Sequence, residues 1–525
     1  MKAVGIKKSG ALLLRKTIGI GAWTLLSRIL GLIREVLQIK YLGVGTASDA
    51  FIAAFRIPNS LRKIFAEGAL TAAFLPTYVA TLQKEGEVAA DKVATITFVI
   101  LQSFLLLVCV LIGWHAHTII YLIAPGWSAV TTADQAAQLL NILIYFIFFI
   151  SSSSLCASIL QARHHFFIPA VGQIVMNLFF IAQLIILTYY HAPVYYLAYG
   201  ILLNGVVLLT MHIWACYRWG FMHYMPDRHS LLIVWRIVKK FVPCLLSVGA
   251  LEINLFIDQM LASYLPAGSL TLLYYVNTIG RVPLSIFVIA LSTILLPHFA
   301  HVHTYAPRRL NFYILESAKF IFWVIAPTTI LMSIFSYQAF YTIMLSSAFT
   351  LQHVYEAAWL LRAFALGLFF FSLNRILLNV FYAMHETFIP TLIACGAAVF
   401  NTGLSMILMM YWGACGITLA TSIAEIVKTG LFIMVLQRKY GVVFYGHRFM
   451  QTAYRCCAQL CVIGIACIVV YAFLYVCIMQ LPIMYKTFLL ARYGYWLWVA
   501  PLCGFGAFIA YITRRQFNIT LYFLP

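Results

Sequence analysis

Charge is what this chain has least of. Of its 525 residues only 9% are Asp, Glu, Lys or Arg, while 64% are hydrophobic and the mean hydropathy is +0.96. A soluble domain carries about a quarter charged residues, so the composition excludes water as the main solvent. Acids are especially few, 14 against 34 Lys and Arg, for a net charge of +20. The basic residues lie mostly in short tracts between apolar runs. That pattern excludes a nucleic-acid surface and fits membrane orientation and attraction to anionic lipid. The sequence has no P-loop, no dinucleotide fingerprint and no G-x-S-x-G, so ATP bound to this chain does not drive it. There is no C-x-x-C, and the 12 cysteines are scattered in apolar segments, as reduced, buried thiols are. His115 and His117, His164 and His165, and His298, His301 and His303 fall at interfaces or loops, with no carboxylate or cysteine at ligand spacing, which argues against a metal centre.

What the chain has is apolar runs of spanning length. About fourteen are read, with cores near 17–41, 50–80, 93–114, 136–160, 167–189, 195–217, 236–262, 270–298, 314–335, 354–383, 388–411, 414–436, 454–478 and 495–513. The predicted fold is an all-α polytopic membrane protein. The basic stretch 1–16 leads into an apolar run that no small-residue cleavage site closes, so it reads as a first span rather than a removed signal peptide. Loop charge checks the count. Connections 41–48, 115–134, 190–193, 263–269, 336–352 and 411–413 contain no Lys or Arg. The alternate connections carry Lys84, Lys92, Arg163, Arg218, Arg228, Arg236, Lys239, Lys240, Arg308, Arg309, Arg438, Lys439, Arg448 and Arg455, and the tail has Arg514 and Arg515. This alternation predicts both termini in the cytoplasm. Only the last external loop, with Lys486 and Arg492, departs from it.

The chain also repeats itself. Ala162-Arg-His164-His-Phe-Phe167-Ile168-Pro169 matches Ala383-Met-His385-Glu-Thr-Phe388-Ile389-Pro390, and Ala69-Leu70-Thr71 with Leu75-Pro76 matches Ala290-Leu291-Ser292 with Leu296-Pro297, both at an offset of 221 residues. Two matches at one offset imply a duplicated six-span unit. The expected layout is 1–220, 221–440 and a pair of additional spans in 441–525. Duplicated halves are transporter architecture.

Ionisable residues inside a span cost about 2.5–3.5 kcal/mol each at the helix centre, which makes them functional candidates. They crowd the first two spans: Arg28, Arg34 and Glu35, then Asp49, Arg56, Asn59, Arg62, Lys63 and Glu67. Arg28 and Arg34 stand about 9 Å apart along an ideal helix and roughly 120° apart around it. Gly31 and Pro58 permit bends that turn Arg28, Arg34 and Arg62 toward one chamber. Several guanidinium forks suit a diphosphate. The plainer reading makes Arg34–Glu35, Lys63–Glu67 and Arg56 interfacial ion pairs or snorkelling side chains. Farther on, Glu252, Asp258, Arg281, Asn401, Ser405 and Thr421 are polar positions in apolar segments. One buried carboxylate with neutral oxygens suits Na⁺ or a proton, or else an ion pair with a neighbouring span.

The stretch Ser27-Arg28…Gly31…Arg34-Glu35…Gly43…Asp49-Ala50-Phe51…Arg56-Ile-Pro58-Asn59…Arg62…Phe65-Ala66-Glu67-Gly68-Ala69…Pro76 resembles the signature of the MurJ/MviN family, lipid II flippases of the multidrug/oligosaccharidyl-lipid/polysaccharide exporter superfamily. Further likeness runs through Ala124-Pro125-Gly126, Asn177, Leu265-Pro266, Tyr274-Tyr275 and Phe381-Tyr382-Ala383, over roughly residues 15–440. The resemblance implies a cavity whose arginines, Arg28, Arg34 and Arg62, bind the diphosphate of lipid II, with Asp49, Asn59 and Glu67 in the matched motif. At the family's fourth basic position this chain has Thr278, and Arg281 stands one turn later. The resemblance also implies a Na⁺ site at Asp258, Asn401, the Ile417 carbonyl and Thr421, where a second acid of the family is Ser405 here.

The expected function is therefore transport, not covalent catalysis: flipping of lipid II across the bacterial inner membrane by alternating access, coupled to Na⁺ or membrane potential, in contact with membrane lipids and the cell-wall synthesis machinery. Rival readings are an exporter of another polyprenyl-diphosphate-linked glycan or of drugs, a membrane-embedded polyprenyl-diphosphate transferase, and a scaffold. The transferase needs a base or an acidic Mg²⁺ site, for which Asp49 and Glu67 are the nearby candidates.

Overall fold

The computed structural model describes residues 23, 26–127, 130–225 and 227–522, with the side chains at 66–69, 71–72, 130, 240, 242–251 and 254 left aside. Among the described residues every regular element is helical, and a single bridge joins Ser346 to Phe349. By length and apolarity, ten described helices are able to cross a membrane. Three expected segments fall outside these ten, and two others share one of them. Segment 17–41 lies partly outside the described residues. Segment 50–80 is two 17-residue helices joined by a π turn. Segment 236–262 carries Arg236, Lys239, Lys240, Glu252 and Asp258. Segments 388–411 and 414–436 share one 53-residue element, broken where Gly413 adopts φ 55°.

The chain forms two compact units. The first, up to Thr271 with Ser346–Phe349, holds α1 (26–42), α2 (Thr46–Arg62), a π turn (Lys63–Gly68), α3 (Ala69–Glu85), α4 (Glu87–Trp114), α5 (Ala116–Ile123), α6 (Val130–Leu143), α7 (Phe146–Ala162), α8 (Phe167–Tyr189), α9 (Val194–Arg218) and α10 (Arg228–Ala262). Asp227 caps α10, its carboxylate accepting from the Ser230 amide at 2.7 Å. α10 packs on α3, α4 and the π turn. At one end of this unit the Val44 amide donates to the Ala348 carbonyl at 3.1 Å. Gly43 sits there with φ 70°, and a Cβ would lie 2.6 Å from that of Ala348, so glycine is required on both counts.

α11 (Ser269–Gly280) begins at the boundary. The second unit, Leu272–Leu345 with Thr350 onward, continues through a second π turn (Leu284–Val288), α12 (Ile289–Tyr305), α13 (Pro307–Ile334), α14 (Ser336–Met344), α15 (Leu351–Ala383), α16 (Phe388–Tyr440), α17 (Gly446–Met479), α18 (Ile483–Leu490) and α19 (Gly494–Thr513). α17 and α19 pack together and are fastened at both ends. At one end Arg492 Nε donates to the Thr342 carbonyl at 2.7 Å, and Trp496 Nε1 donates to Thr342 Oγ1 at 2.9 Å. At the other, the tail after α19 folds back, burying Ile519 and Leu521 with Cys456 against Phe322 and Trp323. The Tyr522 amide there donates to Glu316 at 3.1 Å.

Several local features recur at the 221-residue offset. The π turns begin at Lys63 and Leu284. Pro76 and Pro297 lie inside α3 and α12. His164 and His385, each two residues past a helix end, both take left-handed backbone, φ 64° and 58°. The amide of the following residue reaches back to Leu160 in one case and Phe381 in the other, the six-to-one bond that closes a helix end.

Candidate functional site

The polar residues of α1 and α2 separate into four groups, all in the first unit. On α1, Arg34 Nη2 pairs with Glu35 at 2.6 Å, Nη1 donates to Asn177 Oδ1 on α8 at 3.3 Å, and the guanidinium lies 5.2 Å from the centre of the Phe180 ring. Asn177 in turn donates to the Ser27 carbonyl at 3.1 Å. Arg34 is thus held in place on α8 while its planar fork retains five N–H donors for more than one acceptor. Arg28 is exposed on α1.

On α2, Arg62 Nε and Nη2 both donate to Asn59 Oδ1, at 3.2 and 3.1 Å. This local pair holds the arginine against its own helix on one edge. The next group faces α10. Lys63 Nζ bridges both oxygens of Glu252, at 2.9 and 3.0 Å, and Ser60 Oγ donates to Glu252 Oε2 at 2.7 Å. Arg56 Nη1 reaches the Leu255 carbonyl at 3.5 Å. Among the described side chains the acid that Lys63 meets is Glu252, 189 residues away. The side chain of Glu67 lies outside the described ones.

Asp49 forms the fourth group. It is 3% exposed, and its carboxylate accepts from the Gly268 amide at 2.6 Å, the Thr271 amide at 2.8 Å and the Thr271 hydroxyl at 2.5 Å. Thr271 is in the first turn of α11 and Gly268 immediately precedes it, so Asp49 satisfies amides at that helix start from outside.

Arg281 belongs to the second unit and is exposed. Thr278, at the position where a cation was expected, turns its hydroxyl back onto the Tyr274 carbonyl at 2.9 Å. The Na⁺ candidates divide between units. Asp258 is in the first; Asn401, Ile417 and Thr421 are in the second. On α16 Asn401 and Ser405 are buried one turn apart, and Thr421 Oγ1 donates to the Ile417 carbonyl at 3.0 Å. These are hard oxygen donors of the sort such a cation takes; the set's one carboxylate is Asp258.

Arg163, counted as a loop cation, caps the end of α7 and pairs with Asp91 at 2.6 Å. Charges that the sequence reading passed over also lie in the helices. In α15, Arg362 donates to the Ser333 carbonyl at 3.2 Å and to Ser336 Oγ at 3.0 Å, and Arg375 is exposed. On α16, Glu425 pairs with Lys428 at 2.6 Å and accepts from Asn374 at 2.7 Å. An arginine inside an apolar run was the available signal for Arg362 and Arg375.

Comparison with known proteins agrees with this fold. Residues 39–488 match the family described as lipid II flippase MurJ. A probable lipid II flippase MurJ of Buchnera aphidicola subsp. Acyrthosiphon pisum is 29% identical over 469 residues, 87% of this chain and 90% of that one. The solved inward closed conformation of a lipid II flippase MurJ shares the fold with a TM-score of 0.76 at 24% identity, over 95% of this chain and 100% of the other. A multidrug resistance MATE family transporter of the MOP superfamily also shares the fold. Its inward-facing conformation gives a TM-score of 0.66 at 16% identity over 79% of this chain and 94% of that one, and its outward-facing conformation gives 0.55 at 16% over 80% and 95%.

Proposed function

Because this chain belongs to the lipid II flippase MurJ family, we propose that it moves lipid II from the cytoplasmic to the periplasmic leaflet of the inner membrane, by alternating access, for cell-wall biogenesis. The observation that carries this reading is the family match across residues 39–488. The diphosphate is gripped by Arg28, Arg34 and Arg62, with Asn59 orienting Arg62. Rigid forks such as Arg34 bind two phosphate oxygens at once, so they give direction as well as charge. Both termini lie in the cytoplasm, and the chain is a duplicated pair of six-span halves, 1–220 and 221–440, followed by two further spans. A coupling Na⁺ would take its oxygens from Asn401, the Ile417 carbonyl and Thr421 in the second unit or from the Asp258 carboxylate in the first; membrane potential, worth about 2.3 kcal/mol per charge per 100 mV, is the other available drive.

Against the transferase reading, one of its two candidate carboxylates, Asp49, already accepts the Gly268 and Thr271 amides and the Thr271 hydroxyl. An exporter of another polyprenyl-diphosphate-linked glycan would need the same diphosphate grip, so substrate alone separates that reading. The test is to deplete a bacterial host of its own flippase, express this chain and measure lipid II exposed on the periplasmic face, with Arg28→Ala alongside. Exposure restored by the wild type and lost in the folded variant supports both flipping and the arginine grip. A well-expressed, correctly oriented wild type that restores nothing overturns the lipid II assignment.

A further inference from the structure

α2 presents two polar faces. Arg56, Ser60 and Lys63 recur at helical spacing and grip α10 at the Leu255 carbonyl and the Glu252 carboxylate. Asn59 and Arg62 lie about 100° farther round the helix and bond to each other. The helix turns into its π segment at Lys63, directly after Arg62. A π turn changes the helical phase. Glu252, 8% exposed, fastens this junction: it accepts one hydrogen bond from Ser60 near the end of α2 and two from the Lys63 ammonium that opens the π turn.

We propose that Glu252 is a positioning residue for the diphosphate grip: by locking Ser60 and Lys63 onto α10 it fixes the rotation of α2 and so the direction in which Arg62 projects. It also neutralises Lys63, keeping that cation out of the phosphate-binding set. The substrate never touches Glu252. This inference rests on the proposed role of Arg62.

The test uses the full chain in detergent, with the shift in melting temperature on adding a short-chain prenyl diphosphate, together with lipid II exposure in the depleted host. Glu252→Gln keeps the shape and the Ser60 bond but leaves Lys63 uncompensated. It is expected to keep its ligand-free melting temperature close to wild type, to lose most of the ligand-induced shift, and to flip roughly ten- to a hundredfold more slowly, the scale of a misdirected group. Lys63→Gln alone leaves Glu252 uncompensated and behaves similarly. The double variant Lys63→Gln with Glu252→Gln restores an uncharged hydrogen-bonded pair, and with it the shift and the flux. A Glu252→Gln protein with wild-type shift and flux overturns the proposal. So does a double variant no better than either single. Loss of the ligand-free melting temperature in step with flux makes Glu252 merely structural and likewise overturns it. A wild type that shows no shift with the prenyl diphosphate instead overturns the diphosphate reading itself.

Discussion

Arg163 and Asp91 meet 2.6 Å apart with their side chains 11% and 3% exposed. Around them Tyr78 donates to the same carboxylate at 3.1 Å, the Met222 amide to its other oxygen at 3.2 Å, and Arg163 Nη1 to the Trp219 carbonyl at 3.0 Å. One ion pair therefore ties α3, α4, α7 and the segment after α9. Breaking a buried pair leaves an uncompensated charge at a cost of about 3–5 kcal/mol. Arg163→Met is expected to lower the melting temperature and the folded yield steeply, and Arg163→Met with Asp91→Leu to recover much of both. Thermal unfolding in detergent checks it.

Asp49 is expected to matter for folding more than for substrate. Asp49→Ala removes the acceptor of two buried amides and a hydroxyl, each such loss costing about 1–3 kcal/mol. The melting temperature should fall while the residual folded protein keeps a normal prenyl-diphosphate shift. An Asp49→Ala protein of unchanged stability that no longer responds to ligand would return Asp49 to the substrate site.

At Arg34, charge alone should be insufficient. Arg34→Lys keeps a cation but loses the fork that spans Glu35 and Asn177 and stacks over Phe180. Lipid II exposure is expected to fall for Arg34→Lys nearly as far as for Arg34→Ala. Full activity in the lysine variant would mean that geometry there is unimportant.

Two loop acids set the acid tolerance of helix starts. The Lys92 ammonium, then the Ser230 hydroxyl and amide, hold the Asp227 carboxyl below its ordinary value; the Tyr440 hydroxyl, then the Ile389 amide, do the same for Glu386. Both values are depressed in the folded state. The stability they add is therefore complete above the ordinary carboxylate range near 4, and is lost only as pH falls through the lower folded values. Between pH 5 and 8 neither group should contribute any pH dependence. Lys92→Met should raise the pH at which α10 begins to fray on acidification, read by hydrogen exchange of residues 228–231.

The tail beyond α19 should shield Cys456. That thiol is 1% exposed beneath Ile519 and Leu521, while its neighbour Cys457 is exposed. Removing residues 514–525 is expected to make Cys456 react with a maleimide at a rate approaching that of Cys457, measured peptide by peptide by mass spectrometry. Continued protection would mean the tail is not what covers it.

Much of the helical layout was legible in apolar run lengths, because a bilayer leaves the backbone few alternatives. The motif at Ala162 and Ala383 was legible too, and its cause is now physical: a left-handed histidine ends the helix in both places. Partner choice was not legible. That Lys63 would meet Glu252, 189 residues away, could not be read from spacing. Nor could the pairing of Arg163, in the connection after α7, with Asp91. Arg492, which departed from the loop-charge pattern, is engaged with Thr342 and lies over the Tyr493 ring, 5.5 Å from its centre. Spacing along a chain says which residues share a helix face; it does not say which other helix that face meets.

The paired π turns have a consequence for how this sequence tolerates change in length. Each one accommodates an extra residue within a continuous helix. Deleting a single residue from 64–68 would let the turn relax to ordinary α geometry and rewind everything beyond it by about 100°, so that Phe74 and Tyr78, now wholly buried, would swing off their neighbours while Lys63 stayed on Glu252 and Arg62 kept its place. A same-length substitution there would leave that phase unchanged. The phase of the helix beyond each turn depends on the number of residues in the turn rather than on their identity.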